Sequence, residues 1–433
     1  SGTVSGAVVM RTGPGGIEGT GRVRVRDVVW QGERVDEATA AFVAREDRAV
    51  FTDLAARGPA LALAGELEVD IASRRATLGI DTGSVELGEL AHVGALAAEF
   101  DARLDVAGEL HLTPESVVGT LAIRGDGWTW GERAIPPLRG ALRFDDGGAH
   151  VDLSSRDSDA WKLVGEAGWD DGVPLDLTLT LDRFGVDVIR DPDAPSVWAR
   201  LTGAFRMTGP AADPGALVVD GTLSEATVRA GTRTLRVADP LPVRFERGQF
   251  SLGPATFSGR GSDLDLGCTF DAETGLADVR VGGVVDLGVL TAMVPDATAS
   301  GRMEVDLRVS GRPEALETTG SARLSGGRLR FLGFPQAFES IGFEVEIEDN
   351  EARIRDMHAL LGGGELRGVG GVLLDGFGLD SYRLELAGAN VMVAYPEDFR
   401  AVYEGEVVLR GDAHAAELGG RMHMLRGEYT QEM

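Results

Sequence analysis

The chain has 433 residues, enough by length for about three ordinary domains. Its 42 basic and 69 acidic residues give a net charge of −27, which excludes a nucleic-acid binder, since that needs a basic footprint to displace counterions. Hydrophobic residues at 43% exclude a disordered chain, and the one cysteine, Cys268, excludes an intramolecular disulfide framework and a cysteine-based zinc site. Glycine is in excess, 61 residues or about twice the usual ~7%, yet shows no Gly-X-Y period, so collagen is excluded. Lys162 is the one lysine, and asparagine occurs only at 350 and 390, a bias that reads as that of a GC-rich genome. No run of 18 apolar residues is present to span a bilayer as a helix. No signal peptide is visible, and both ends cut through patterned sequence. The chain is therefore expected to be part of something longer, with targeting segments outside it.

From the N-terminus onward the chain repeats itself. Alternating segments begin at Gly6, Ala102, Gly203, Gly301 and Gly405, and each is followed by a second glycine landmark at Gly21, Gly119, Gly221, Gly320 and Gly420, about 100 residues apart. A third landmark keeps the same phase: Val85-Glu-Leu87, Val186-Asp-Val188, Val285-Asp-Leu287 and Val391-Met-Val393. Trp30 and Trp128 each follow their landmark glycine at the same distance. The expected organisation is the end of a repeat over 1–20, repeats over 21–118, 119–220, 221–319 and 320–419, and the start of a further one over 420–433.

Within each repeat the period is 2, as in Leu67-Glu-Val-Asp-Ile71, Leu175 to Leu181, Leu264-Asp-Leu266 and Phe343-Glu-Val-Glu-Ile347. That period places apolar side chains on one face of a sheet and polar ones on the other. Turn chemistry separates the runs at Asp145 to Gly148, Asp170 to Gly172, Glu348 to Glu351 and Asp375 to Gly378. Each repeat is expected to hold five or six antiparallel strands. Residues 88–100, 189–200, 288–300 and 394–404 depart from alternation and are read as crossovers between one repeat's sheet and the next.

An apolar sheet face has to be covered. Two sheets could close as sandwiches, or one curved sheet could roll over its own face and leave a groove. Aromatic residues total only 6%, and the inward positions are mostly small aliphatics, which suit a smooth lining. No long 3.6-period segment offers a covering helix.

Several runs in residues 300–433 carry a family resemblance: Gly327-Arg-Leu-Arg-Phe-Leu-Gly-Phe-Pro-Gln-Ala-Phe-Glu-Ser-Ile341, Phe343 to Glu348, Ile354 to Ala359, Gly362 to Gly368, Leu409 to Asp412, and Leu418 to Thr430. This third of the chain resembles the TamB family of the AsmA-like proteins; the earlier repeats share only strand pattern and period. The resemblance implies an all-β fold, an elongated, twisted antiparallel sheet rolled into a taco-like repeating β-groove with an apolar interior. It also implies bridge-like transfer of phospholipid between inner and outer membranes. The partners it implies are an outer-membrane TamA-like barrel and inner-membrane proteins, met through parts outside this chain, which itself shows no membrane anchor and stops before the family's C-terminal end. The implied location is the periplasm, within a protein anchored in the inner membrane. Four repeats of six strands at ~4.8 Å would stack to roughly 115 Å, against a radius of gyration of ~22 Å for a globule of this length.

A conduit for acyl chains needs a lining and no catalytic group. The in-phase apolar residues proposed as that lining are Val23, Val25, Leu67, Val69, Ile71, Leu104, Val106, Leu121, Ile123, Leu175, Leu177, Leu179, Leu264, Leu266, Met303, Val305, Leu307, Phe343, Val345, Ile347, Leu384 and Leu386. Cys268 shares their phase and is expected to be buried. The alternatives are a structural β-repeat protein with closed cores and an outer-membrane protein assembly factor that pairs a sheet edge with client strands.

No constellation points to an enzyme, a cofactor or a metal. His92, His111, His150, His358, His414 and His423 are scattered, with no HExxH pair. Asp263/Asp265 and Asp191/Asp193 lack an EF-hand loop. Gly362 to Gly368 lacks the Lys-Ser/Thr of a phosphate loop, and no Gly-x-Ser-x-Gly elbow occurs. Arg302, Glu304, Asp306 and Arg308 alternate with the lining, so the outer face reads as acidic, laced with arginine, and resistant to edge pairing.

Overall fold

The structure is a computed structural model. It describes residues 3–13, 16–30, 33–89, 100–126, 129–130, 133–134, 136–156, 160–169, 172–189, 197–211, 213–230, 233–288, 297–313, 315–375, 378–395, 398–412 and 415–429. The described residues are almost wholly antiparallel strand, with short 3-10 pieces at Leu87–Glu89, Pro214–Ala216 and 287–288. The chain divides into two units, residues 1–182 with 206–217, and residues 183–205 with 218–433.

In the first unit the strands run up and down in chain order. Thr3–Gly13, Gly16–Trp30, Glu33–Arg45, Arg48–Arg57, Leu61–Asp70, Arg75–Glu86, Arg103–Leu112, Val117–Gly125, Leu138–Asp145, Gly148–Ser155 and Trp161–Gly168 each pair antiparallel with the next, and Trp161–Gly168 pairs with the start of Pro174–Ile189. A small separate sheet holds Phe100–Asp101, Thr129–Trp130 and Arg133–Ala134. In the second unit, Val218–Ala230 pairs with both Arg233–Val237 and Leu241–Glu246, and both of these pair with Gln249–Gly259. The meander then continues through Ser262–Asp271, Leu276–Asp286, Ala297–Arg312, Ala315–Phe331, Phe338–Glu348, Glu351–Leu361, Gly364–Asp375, Gly378–Val393, Phe399–Gly411 and Ala416–Tyr429.

Three of the four expected crossovers need correction. Arg75–Glu86 pairs directly with Arg103–Leu112, Leu276–Asp286 with Ala297–Arg312, and Gly378–Val393 with Phe399–Gly411. The intervening segments therefore join adjacent strands of the same sheet. Residues 197–200, 297–300 and 399–404 are themselves strand, and 90–99, 190–196, 289–296 and 396–397 lie outside the described residues. Prolines and short helix-compatible stretches broke the alternation there, although the ladder resumes within a few residues.

The landmark glycines are places where two backbones meet. Gly119 and Gly320 have φ of +154° and +142°, and a Cβ on either would fall onto a carbonyl oxygen of the neighbouring strand, that of Glu109 or Asp306. Each faces a leucine, Leu110 or Leu307, in the cross-strand register. Register shifts bend the strands further, as between Leu252 and Ala255, where Pro254 sits without interrupting a ladder it could not donate to. Asn350 and Asn390 both have left-handed backbone, at φ of 67° and 55°. Asn350 also accepts the Thr318 amide at 2.7 Å and donates to the Leu316 carbonyl at 2.8 Å, tying its turn to the next strand but one in the chain.

Neither unit buries a dense core. The accessible surface totals 26818 Å², whereas two compact units of half this mass would together expose about 19,000 Å². The largest fully buried side chain among the described residues is Leu241.

Substituting Gly320 by Ala should therefore destabilise the fold by roughly 1–3 kcal/mol, through an L-residue forced to positive φ and a backbone clash. Gly267→Ala, where a Cβ meets nothing within 4 Å, should change stability by less than about 1 kcal/mol. Urea unfolding midpoints of the two variants check this, and equal midpoints would contradict it.

Candidate functional site

Residues opposite each other in an antiparallel ladder project to the same face. In the first unit one such row runs Phe42, Phe51, Leu67, Leu78, Leu110, Gly119, Phe144, Ala149, Ala167, Leu175. A second joins Ile80, Gly108, Leu121, Leu142, Val151, Gly165 and Leu177, and a third joins Val106, Ile123, Gly140, Leu153, Leu163 and Leu179. Val69 pairs with Ala49 and Ala76, Leu104 with Val85 and Gly125, and Val23 and Val25 share the parity of Gly21, which faces Phe42. These expected lining residues thus occupy one face. Ile71 does not: the strand ends at Asp70, and Ile71 stands in the following turn, 56% exposed.

The second unit shows a comparably long row. Phe257, Leu264, Gly283, Val305, Ala322, Val345, Ile354, Gly370, Leu384, Leu409 and Leu418 are successive cross-strand partners. Leu266, Val281, Leu307, Gly320, Ile347, Ala352, Val372 and Tyr382 form a parallel row. Met303 pairs with Leu324 and Leu324 with Phe343, and Leu386 lies between Gly368 and Val407. Of the 22 expected residues, Ile123 and Ile347 are buried, Ile71 is exposed and the others are half-buried. A closed sandwich would bury most of them. Each unit is groove-like in that no second layer fully buries its apolar face.

The sequence reading missed much of this face. Phe42, Phe51, Leu78, Ile80, Phe144, Phe257 and Ile354 belong to the same rows. Their own alternation was visible, but register shifts such as Phe51/Leu54, Ile80/Gly83 and Ile354/Met357 change the parity along a strand. Cys268 lies on this face between Leu252 and Val279, half-buried rather than buried. Burial, and then the nearby Asp278 carboxylate, raise its thiol pKa. His423 pairs with Glu404 on the polar side, as expected.

The opposite face is a lattice of ion pairs. Arg323 meets Glu344 at 2.9 Å, Arg355 meets Glu346 at 2.8 Å, Arg308 meets Asp278 at 2.6 Å, and Arg206 meets Asp176 at 2.6 Å. Arg48 and Glu68 pair likewise. An open depression of about 680 Å³ on this face is edged by Glu304, Asp306 and the ion pairs Arg323–Glu344 and Arg355–Glu346. Hydrogen bonds from Arg206, Arg308 and Arg353 hold Asp176, Asp278 and Glu351 below the usual carboxylate range. Asp145 is lowered first by the Gly147 amide and then by His150, whose Nε2 lies 2.7 Å from it. Among the described residues no group of three or more His, Cys, Asp or Glu is arranged to hold a metal ion.

Fold and faces together define an antiparallel β-sheet protein with one apolar and one charged surface. Residues 354–432 match the family model of the TamB C-terminal domain, which supports a TamB-family assignment for that part of the chain. This is a family of envelope proteins and not one of enzymes. No curated protein matches the chain. No helix among the described residues is long and apolar enough to cross a membrane.

The depressed carboxylates give a sign to the pH dependence. Their folded pKa values lie below the unfolded ~4, so their stabilisation is complete above that pH and is lost as pH falls through the folded values. The unfolding midpoint should be flat from pH 7 to 5 and drop below about pH 4. Asp278→Asn should lower it slightly at neutral pH, with the difference from wild type vanishing in acid. Thermal scans across pH check this.

Proposed function

We propose that the chain is a segment of a periplasm-spanning conduit that carries phospholipid acyl chains along its apolar face between the inner and outer membranes. The observation that carries this reading is the unbroken cross-strand row from Phe257 to Leu418, free of charge throughout and half-buried from Leu264 to Leu409. Each methylene moved through water costs about 0.8 kcal/mol, so an acyl chain in transit needs such a surface without gaps. Side chains on this path supply contact alone; no proton or electron needs to move, and no enzyme chemistry or cofactor enters. The acidic opposite face keeps a long sheet soluble. Four sheet repeats, bounded as the landmark glycines suggest, would extend the row as a rolled, taco-like groove. Contacts with an inner-membrane anchor and an outer-membrane TamA-like barrel belong to this proposal.

A second reading draws on strand Ala416–Tyr429. Among the described residues it hydrogen-bonds only to Phe399–Gly411 and is exposed along its whole length, so a client strand of a nascent barrel could add there. Photocrosslinks from this strand to barrel clients, in the absence of bound lipid, would favour assembly over transport.

The conduit reading predicts phospholipid in the purified protein by extraction and mass spectrometry. Bound lipid should shield Cys268 from a water-soluble maleimide, and delipidation should speed the reaction severalfold. Val305→Asp, a charge in the middle of the row, should lower bound lipid severalfold in protein that still unfolds cooperatively. Protein that neither retains nor takes up lipid would overturn the conduit.

A further inference from the structure

The apolar face of the second unit continues past the ends of its strands at one rim. Leu287, Leu324, Ile341 and Ala359 form a buried cluster there, with Phe338 and Phe343 packed against it. From Phe338 a ladder of rings leads outward: it stacks on Phe334, centroids 6.1 Å apart, and meets Phe331 edge-on at 6.3 Å. The Phe334 amide donates to the Phe331 carbonyl at 3.3 Å and closes a turn whose tip, Leu332, is 81% exposed. Gln336 Oε1 accepts the Ala394 amide at 3.3 Å, which holds this loop against the segment bearing Tyr395, 60% exposed. The loop is therefore tied at both ends of its ring ladder, while its most apolar atoms face water.

The opposite rim of the same unit is built differently. Its turns carry Glu273 and Thr274, or Asp349 and Asn350, and are closed by side-chain hydrogen bonds such as Thr274 N to Asp271. At that rim Phe245, Phe250 and Phe270 are cross-strand neighbours that stay half-buried beside their turns, whereas the ladder from Phe338 ends in the exposed tip Leu332.

We propose that the rim formed by residues 331–338 and Tyr395 is a lateral portal, through which an acyl chain passes between a bilayer surface and the apolar face. The proposal rests on the lipid-conduit reading above. A bilayer is the occupant the chemistry favours. Leu332 presents a purely apolar tip, Tyr395 adds a ring with a polar end of the kind that settles at a headgroup boundary, and Arg328 and Arg330 stand exposed on the charged face beside them. The ring ladder is also continuous with the surface that would receive the chain.

The test measures the rate at which the full chain takes up a fluorescent phospholipid from vesicles of phosphatidylethanolamine and phosphatidylglycerol. The variants are Leu332→Asp, at a site too exposed to disturb folding, and Leu276→Asp, an exposed leucine on the opposite rim. Leu332→Asp should slow uptake about tenfold or more, whereas Leu276→Asp should match wild type. All three proteins should reach the same load when lipid is delivered from detergent. Wild-type rates for Leu332→Asp, or equal slowing in both variants, overturn the portal and leave the conduit standing. Loading of wild type from detergent but never from vesicles does the same, and points to a protein partner at the rim. Failure of wild type to load from either source overturns the conduit itself.

Discussion

The antiparallel ladder is the interaction on which everything else in this protein depends. With no helix longer than a 3-10 turn and no dense core among the described residues, each strand is held chiefly by hydrogen bonds to its two neighbours and by side chains stacked along the cross-strand rows. Because opposed residues share a face, fixing the register fixes the chemistry of both surfaces at once. A one-residue slip anywhere between Leu264 and Leu409 would turn part of the apolar row toward water and bring carboxylates such as Glu304 and Glu344 onto the apolar side. Position therefore matters more to stability here than the strength of any single contact.

Glycine is the price of that ladder. At Gly119 and Gly320 the neighbouring carbonyl occupies the place of a side chain, and a leucine from the next strand lies across the gap. The repeat thus conserves its own shape through atoms that are absent. Bulges then re-aim the strands between these points, so that rows interrupted on one strand resume on the next. The charged face adds solubility and a modest pH dependence, and its ion pairs are exposed enough that water competes with each of them.

Function follows from the asymmetry of the two faces. A half-buried apolar surface without a charged gap suits a flexible hydrocarbon better than a shaped ligand, and the described residues hold no cluster arranged for a metal ion. The ring ladder from Phe338 to Leu332 gives the same surface a contact with the outside at one rim.

The alternation in runs such as Leu175 to Leu181 was enough to determine strands, and the recurrence of the glycine landmarks was enough to find the long hairpins, because period and turn chemistry are local properties. Turn loops rich in Asp and Gly were equally plain. The two asparagines looked like leftovers of a biased genome, yet both stand where the backbone is left-handed, which only the folded chain reveals. Ile71 continued a perfect alternation and still fell into a turn, because a strand ends where its partner ends. Three of the four supposed crossovers join strands that pair directly, and such pairing, as of Leu276–Asp286 with Ala297–Arg312, is a long-range choice that no local pattern encodes. The sequence by itself determined which residues could face an apolar interior; the tertiary structure alone decided which of them stand side by side, because register and bulges are properties of two strands and not of one.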